Sequence, residues 1–89
     1  MQLPESLSDD LIKRLRRIEG QVRGIQTMLA EGRDCRTVIA QLSAVSSAVD
    51  QVGFKLLASG LATCLSDPAR AAEAGFELDE VERLFLKLA

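Results

Sequence analysis

Two thiols, Cys35 and Cys64, are the residues of this chain able to carry covalent or soft-metal chemistry, and 29 positions separate them. At roughly 100° per residue, that interval returns a helical side chain to within about 20° of its starting direction, so both sulfurs share one face of any helix holding them. Along that helix they stand about 44 Å apart, beyond the reach of a disulfide or a shared ligand. The pair can meet only between chains. In two antiparallel copies centred near Val49 and Asp50, Cys35 of each faces Cys64 of the other at both ends.

The two sulfurs have different surroundings. Cys35 falls in a first helical turn, where free backbone amides and the helix dipole attract negative charge, and Arg33 and Arg36 flank it. Those conditions suit a nucleophilic sulfur. Cys64 lies near the opposite end, between Leu61 and Leu65, without that help; a plain packing role competes for either residue. With no histidine in the chain, the usual imidazole ligand and general base are absent. Two thiolates cannot close a tetrahedral zinc site, whereas Cu(I) can be held by two.

A second constellation is cationic. Between Lys13 and Arg36 stand seven basic residues against three acids, although the whole chain carries a net charge of −2. On a helical wheel Lys13, Arg16, Arg17 and Arg23 occupy an arc of about 120° opposite an apolar stripe, with Arg14 on its flank. Such an arc suits a phosphate backbone, and Gln21 and Gln51 can add polar contacts. A merely solvated helix face is the competing reading. Nothing resembles a helix-turn-helix or a zinc finger.

Helices must position both sets. Leu11, Leu15, Ile18, Val22, Ile25 and Leu29 follow a 4,3,4,3,4 spacing, which predicts a first helix over about residues 8 to 31, capped by Ser8 with Asp9 and Asp10 in its first turn and stopped at Gly32. Met1 to Ser6 reads as a loose arm. Val38, Leu42, Val45, Val49, Val52 and Leu56 repeat the spacing, predicting a second helix of about thirty residues from an Asp34 cap to the Asp67-Pro68 stop. Gly53 and Gly60 inside it cost about 1 kcal/mol each relative to Ala, and read as points where another helix approaches closely. A short turn from Pro68 to Ala74 ends at Gly75, and a last helix from Leu78 to Leu88 turns Leu78, Val81, Leu84, Phe85 and Leu88 inward.

Eighty-nine residues, 47% of them hydrophobic and only 3% aromatic, point to one small all-α domain over residues 1–89 whose core a partner completes. The expected architecture is a three-helix protomer with a long central helix, an antiparallel dimer forming a four-helix bundle, and a dimer of dimers. No export signal or long apolar run is evident, so a soluble cytoplasmic protein with reduced thiols and no membrane partner is expected.

The run Arg14-Leu15-Arg16-Arg17-Ile18-Glu19-Gly20-Gln21-Val22-Arg23-Gly24-Ile25, followed by Cys35 and Cys64, resembles the CsoR/RcnR family of bacterial repressors over roughly residues 11 to 88. The resemblance implies an antiparallel dimer through the second helix, pairing into a tetramer, and operator DNA bound by a basic surface and released when an inducer reaches the cysteines. Arg14 and Arg17 match basic positions tied to DNA binding in that family; a further basic position is Gln51 here. Copper-sensing members have a histidine four residues before the second cysteine, where this chain has Gly60. Two cysteines without histidine resemble the CstR subgroup, which senses persulfide and polysulfide and often governs sulfide-detoxification genes.

That resemblance gives the expected function: a repressor with no cofactor, whose Cys35 thiolate takes sulfane sulfur and is then bridged to Cys64 of the partner subunit, by a disulfide or through added sulfur. The alternative within the same fold is a Cu(I)-responsive repressor using Cys35 and Cys64 as ligands. An alternative of another class is a helical interaction or scaffold protein that does not bind DNA. No enzyme is expected, because no paired acids, histidine or phosphate loop is present.

Overall fold

A computed structural model describes residues 3–89, and every regular element among them is helical: α1 (Glu5–Ala30), α2 (Cys35–Ser66), α3 (Pro68–Glu73) and α4 (Leu78–Leu88). The all-α expectation holds, with the turn after Pro68 forming the six-residue α3. Met1 and Gln2 of the expected arm lie outside the described residues. The chain divides into two compact units, one of Asp9–Val52 and one of Gly53–Ala89 with the N-terminal residues up to Ser8.

Helix α1 begins earlier than the sequence pattern predicts. The Pro4 carbonyl accepts bonds from Leu7 N–H and Ser8 N–H, both 3.1 Å, so Glu5 and Ser6 are helical rather than part of an arm. Proline's fixed φ is already that of a helix start. Ser8 is therefore interior, and Asp10 Oδ2 accepts a bond from Arg14 Nε one turn on. The other boundaries fall where expected. Gly32 takes φ +72° and closes α1 through Arg33 N–H to Met28 O at 3.0 Å. Asp34 caps α2 through Oδ1 to Arg36 N–H at 3.5 Å. Asp67 caps α3 through Oδ1 to Arg70 N–H at 3.1 Å, with Pro68 as the first helical residue.

Within the Asp9–Val52 unit the apolar stripes are split in two. Leu11, Ile18 and Ile25 of α1 are buried, as are Val38 and Val52 of α2, with Val45 half-buried between them. These positions are seven apart. The alternate set stays on the surface: Leu15 is 42% exposed, Val22 39%, Leu42 50% and Val49 45%. One heptad series packs α1 against α2, and the second faces outward along both helices.

In the other unit Ala71, Phe76 and Val81 form the core, with Leu3, Cys64 and Ala74 packed on it. The Phe54 and Phe85 rings lie 5.4 Å apart at a tilt of 56°. Val81 of α4 is buried; Leu78, Leu84 and Phe85, expected inward, keep large exposed areas in the single chain, Leu78 and Phe85 lining an apolar groove with Leu57 and Leu61 of α2. The two α2 glycines are indeed contact points, but for this chain's own C-terminal segment. A Cβ on Gly53 would stand 2.6 Å from Leu88 Cδ2, and one on Gly60 would stand 2.8 Å from Phe76 Cε1.

Candidate thiol site and nucleic-acid interface

Cys35 is the first residue of α2 and is exposed, immediately after the Asp34 cap that fixes where the helix starts. Of its two flanking arginines, Arg33 holds Glu31 Oε2 at 3.4 Å. Cys64 sits two residues before the end of the same helix and is half-buried against the Ala71, Phe76 and Val81 core. Its thiol borders an apolar cleft of about 300 Å³ completed by Pro68, Ala71, Phe76 and Leu78. Both cysteines are free. They occupy opposite ends of one uninterrupted helix, so a single chain does not bring them together.

Among the described residues no group of three His, Cys, Asp or Glu side chains is placed to hold a metal ion. The soft donors this chain offers are its two thiols, at opposite ends of α2. That set fits a soft, two-coordinate ion such as Cu(I), and not one that requires four donors.

The basic arc is borne by α1. Lys13, Arg16, Arg17 and Arg23 are exposed along it, and Arg14 is half-exposed. Arg14 Nε holds Asp10 Oδ2 at 3.0 Å and Arg23 approaches Glu19 Oε2 at 3.8 Å, whereas Lys13, Arg16 and Arg17 have no ion-pair partner among the described residues. Such surface pairs are worth little and exchange readily for a phosphate. Gln51 gains a context that sequence alone withheld. It lines a shallow cleft of about 160 Å³ with Arg14, Arg17, Ile18 and Gln21 of α1 and Ala48 of α2. Two arginines and two amides from two helices thus face one recess, a donor-rich arrangement suited to backbone phosphates.

Phe76 was not singled out by sequence reasoning, yet it forms a wall of the Cys64 cleft. Its signal was present: Gly75 takes φ +81°, and Phe76 N–H closes back on Ala71 O at 2.8 Å. An apolar residue directly after a glycine helix stop commonly folds back onto that helix.

Residues 8–87 match the family described as metal-sensitive transcriptional repressor. The copper-sensing transcriptional repressor CsoR of Bacillus subtilis (strain 168) is 37% identical over 79 residues, 89% of this chain and 78% of that protein. The copper-sensing transcriptional repressor RicR of Mycobacterium tuberculosis (strain ATCC 25618 / H37Rv) is 48% identical over 58 residues, 65% of this chain and 60% of that protein. Among solved structures, the copper-sensing repressor CsoR with Cu(I) from Geobacillus thermodenitrificans NG80-2 superposes with a TM-score of 0.78 at 32% identity, covering 98% of this chain and 91% of that one.

These relatives correct the sequence reading in two respects. The expectation of no cofactor, with Cu(I) only as an alternative, is overturned by copper-sensing relatives, one of them solved with Cu(I). The CstR-like assignment is likewise not the one these relatives carry, since they sense copper. The physical reason for the misreading is the missing histidine: its absence removes one ligand but leaves a thiolate pair that Cu(I) accepts. The family itself is one of regulators rather than enzymes, and with its match spanning residues 8–87 this chain belongs to the metal-sensitive transcriptional repressors.

Proposed function

We propose that the protein is an operator-binding repressor that Cu(I) induces through Cys35 of one subunit and Cys64 of the partner subunit. The observation that carries this reading is the placement of the two soft donors at opposite ends of α2 in a fold shared with a Cu(I)-bound repressor. Bound there, Cu(I) supplies a link between subunits that two thiols do not make by themselves. The outward heptad series of Leu15, Val22, Leu42 and Val49 provides the surface on which two copies assemble, first as an antiparallel dimer and then as a dimer of dimers. Lys13, Arg14, Arg16, Arg17 and Arg23, with Gln51, hold the operator's phosphates. A link at the helix ends favours an assembly in which the basic faces no longer match the spacing of DNA, a shift between two states. Anaerobic titration of Cu(I) into a complex with the protein's own promoter DNA tests this, with release read by fluorescence anisotropy. Copper bound tightly with no change in anisotropy removes the reading, and no salt-dependent promoter binding at all favours the scaffold alternative.

One observation favours sulfane sulfur as a second inducer class: the space beside Cys64 at position 60 holds the Phe76 ring and no third ligand. The Cys35 thiolate attacks the terminal sulfur of an organic persulfide, forming a Cys35 persulfide and expelling the organic thiolate. Cys64 of the partner subunit then displaces hydrosulfide and closes an interchain disulfide. Mass spectrometry after polysulfide treatment shows a crosslinked dimer on this reading and unlinked chains otherwise.

A further inference from the structure

Half-buried Cys64 is flanked by one aromatic residue, Phe76, in a way neither inducer chemistry requires. Gly60 lies one helical turn before it, so a side chain there would stand directly beside the thiol. The Phe76 ring takes that place: a Cβ on Gly60 would be 2.8 Å from Cε1 and 2.9 Å from Cδ1. The ring is 8% exposed and held by the Phe76 N–H to Ala71 O bond of 2.8 Å.

The same ring is also a wall of a larger cleft of about 440 Å³, which contains Ser59, Thr63, Ser66, Asp67 and Arg70. That cleft mixes polar side chains with Leu3, Pro4 and Ala74, whereas the one at Cys64 is lined by Pro68, Ala71, Phe76 and Leu78, none of whose side chains carries an oxygen or nitrogen. Phe76 is thus a wall common to the cleft that Cys64 lines and to one containing hydroxyls, a carboxylate and a guanidinium.

We propose that Phe76 is the specificity-determining residue of the Cys64 site, seated in the Gly60 notch so that the half-buried thiol is screened on that side from bulky anions and favours small, soft, weakly hydrated species. No other side chain lining this cleft offers a donor to a hard or hydrated ion, and the ring narrows the approach of large charged reagents. The inference deepens the proposed thiol-based sensing and rests on it only for its biological meaning, because the ring's effect on the sulfur is measurable in isolation.

The test uses the full chain carrying Cys35→Ser, so that Cys64 is the one thiol. Its alkylation by iodoacetamide, small and neutral, is compared with its reaction with 5,5′-dithiobis(2-nitrobenzoate), a bulky dianion, each rate being normalised to glutathione. Phe76→Ala should raise the dianion rate about ten-fold more than the iodoacetamide rate, with Phe76→Leu giving a smaller rise in the same ratio. Gly60→Ala, which pushes the ring aside without removing it, should move the ratio in the same direction. Equal acceleration by both reagents, or an unchanged ratio, overturns the proposal. If circular dichroism shows Phe76→Ala unfolded, the other two substitutions decide. Cu(I)-driven DNA release is read separately in the native chain, which keeps Cys35: a flat ratio with normal release there defeats the role of Phe76 alone, and a shifted ratio without release there defeats the copper reading alone.

Discussion

Arg17 of α1 and Gln51 of α2 face the same shallow cleft, although 34 positions separate them in the sequence. If this recess seats a phosphate, Arg17→Ala weakens promoter binding at every salt concentration and lowers the slope of log affinity against log salt by about one. Gln51→Lys has the opposite effect, steepening the slope by about one as a new cation releases a further counterion. Anisotropy titrations over a range of salt check both.

Mixing two defective chains tests whether the thiols work across subunits. Cys35→Ser and Cys64→Ser each leave every antiparallel site with one sulfur, so each alone should lose tight Cu(I) binding while retaining promoter affinity. A dimer containing one of each regains a single intact pair. Co-expressed and co-purified under different tags, the mixed dimer should hold half the copper of the native protein. Equal loss in all three refutes a site shared between subunits.

Assembly is expected to fail when the outward heptad series receives charge. Val49 is 45% exposed in the single chain and lies near the centre of the antiparallel pairing. Val49→Lys would place like charges from two copies close together in an apolar seam, and sedimentation equilibrium should show a drop in mass with loss of promoter binding. The exposed Lys55→Ala serves as the control and should leave the mass unchanged.

Gly24 gives a stability prediction of opposite sign. It lies inside α1, and an added Cβ there meets nothing within 4 Å. Gly24→Ala should stabilise the chain by about 0.5–1 kcal/mol by reducing the freedom of the unfolded state, seen as a raised midpoint in thermal denaturation. Ile18→Ala, which removes a buried side chain of the same helix, should cost about 2–4 kcal/mol.

Helix boundaries set by local chemistry were legible in the sequence. Asp34, Gly32, Asp67-Pro68 and Gly75 each act within four residues of themselves, and each sits where its type predicts. The start of α1 was misplaced because Ser8 and Asp9 resemble a cap as strongly as the Pro4 that precedes them, and only the backbone bonds to Pro4 decide between them. The cysteines and the basic arc could be identified because they depend on periodicity along one helix. The Arg14–Arg17–Gln21–Gln51 cleft and the Phe76 wall could not, because each depends on which face of α2 another segment covers. Copper, which the relatives sense, took second place in the sequence reading for a chemical reason: a missing histidine says what the site lacks, whereas thiolate pairs serve both copper and sulfur chemistry.

The division of each apolar stripe into an inward and an outward half makes folding a collective property. A solitary copy keeps Leu15, Leu42 and Val49 in water and forgoes about 25 cal/mol for each Å² that a second copy would cover. Durability then scales with abundance, because mass action favours the assembled form. Newly made chains without a mate would then be the form most open to proteases.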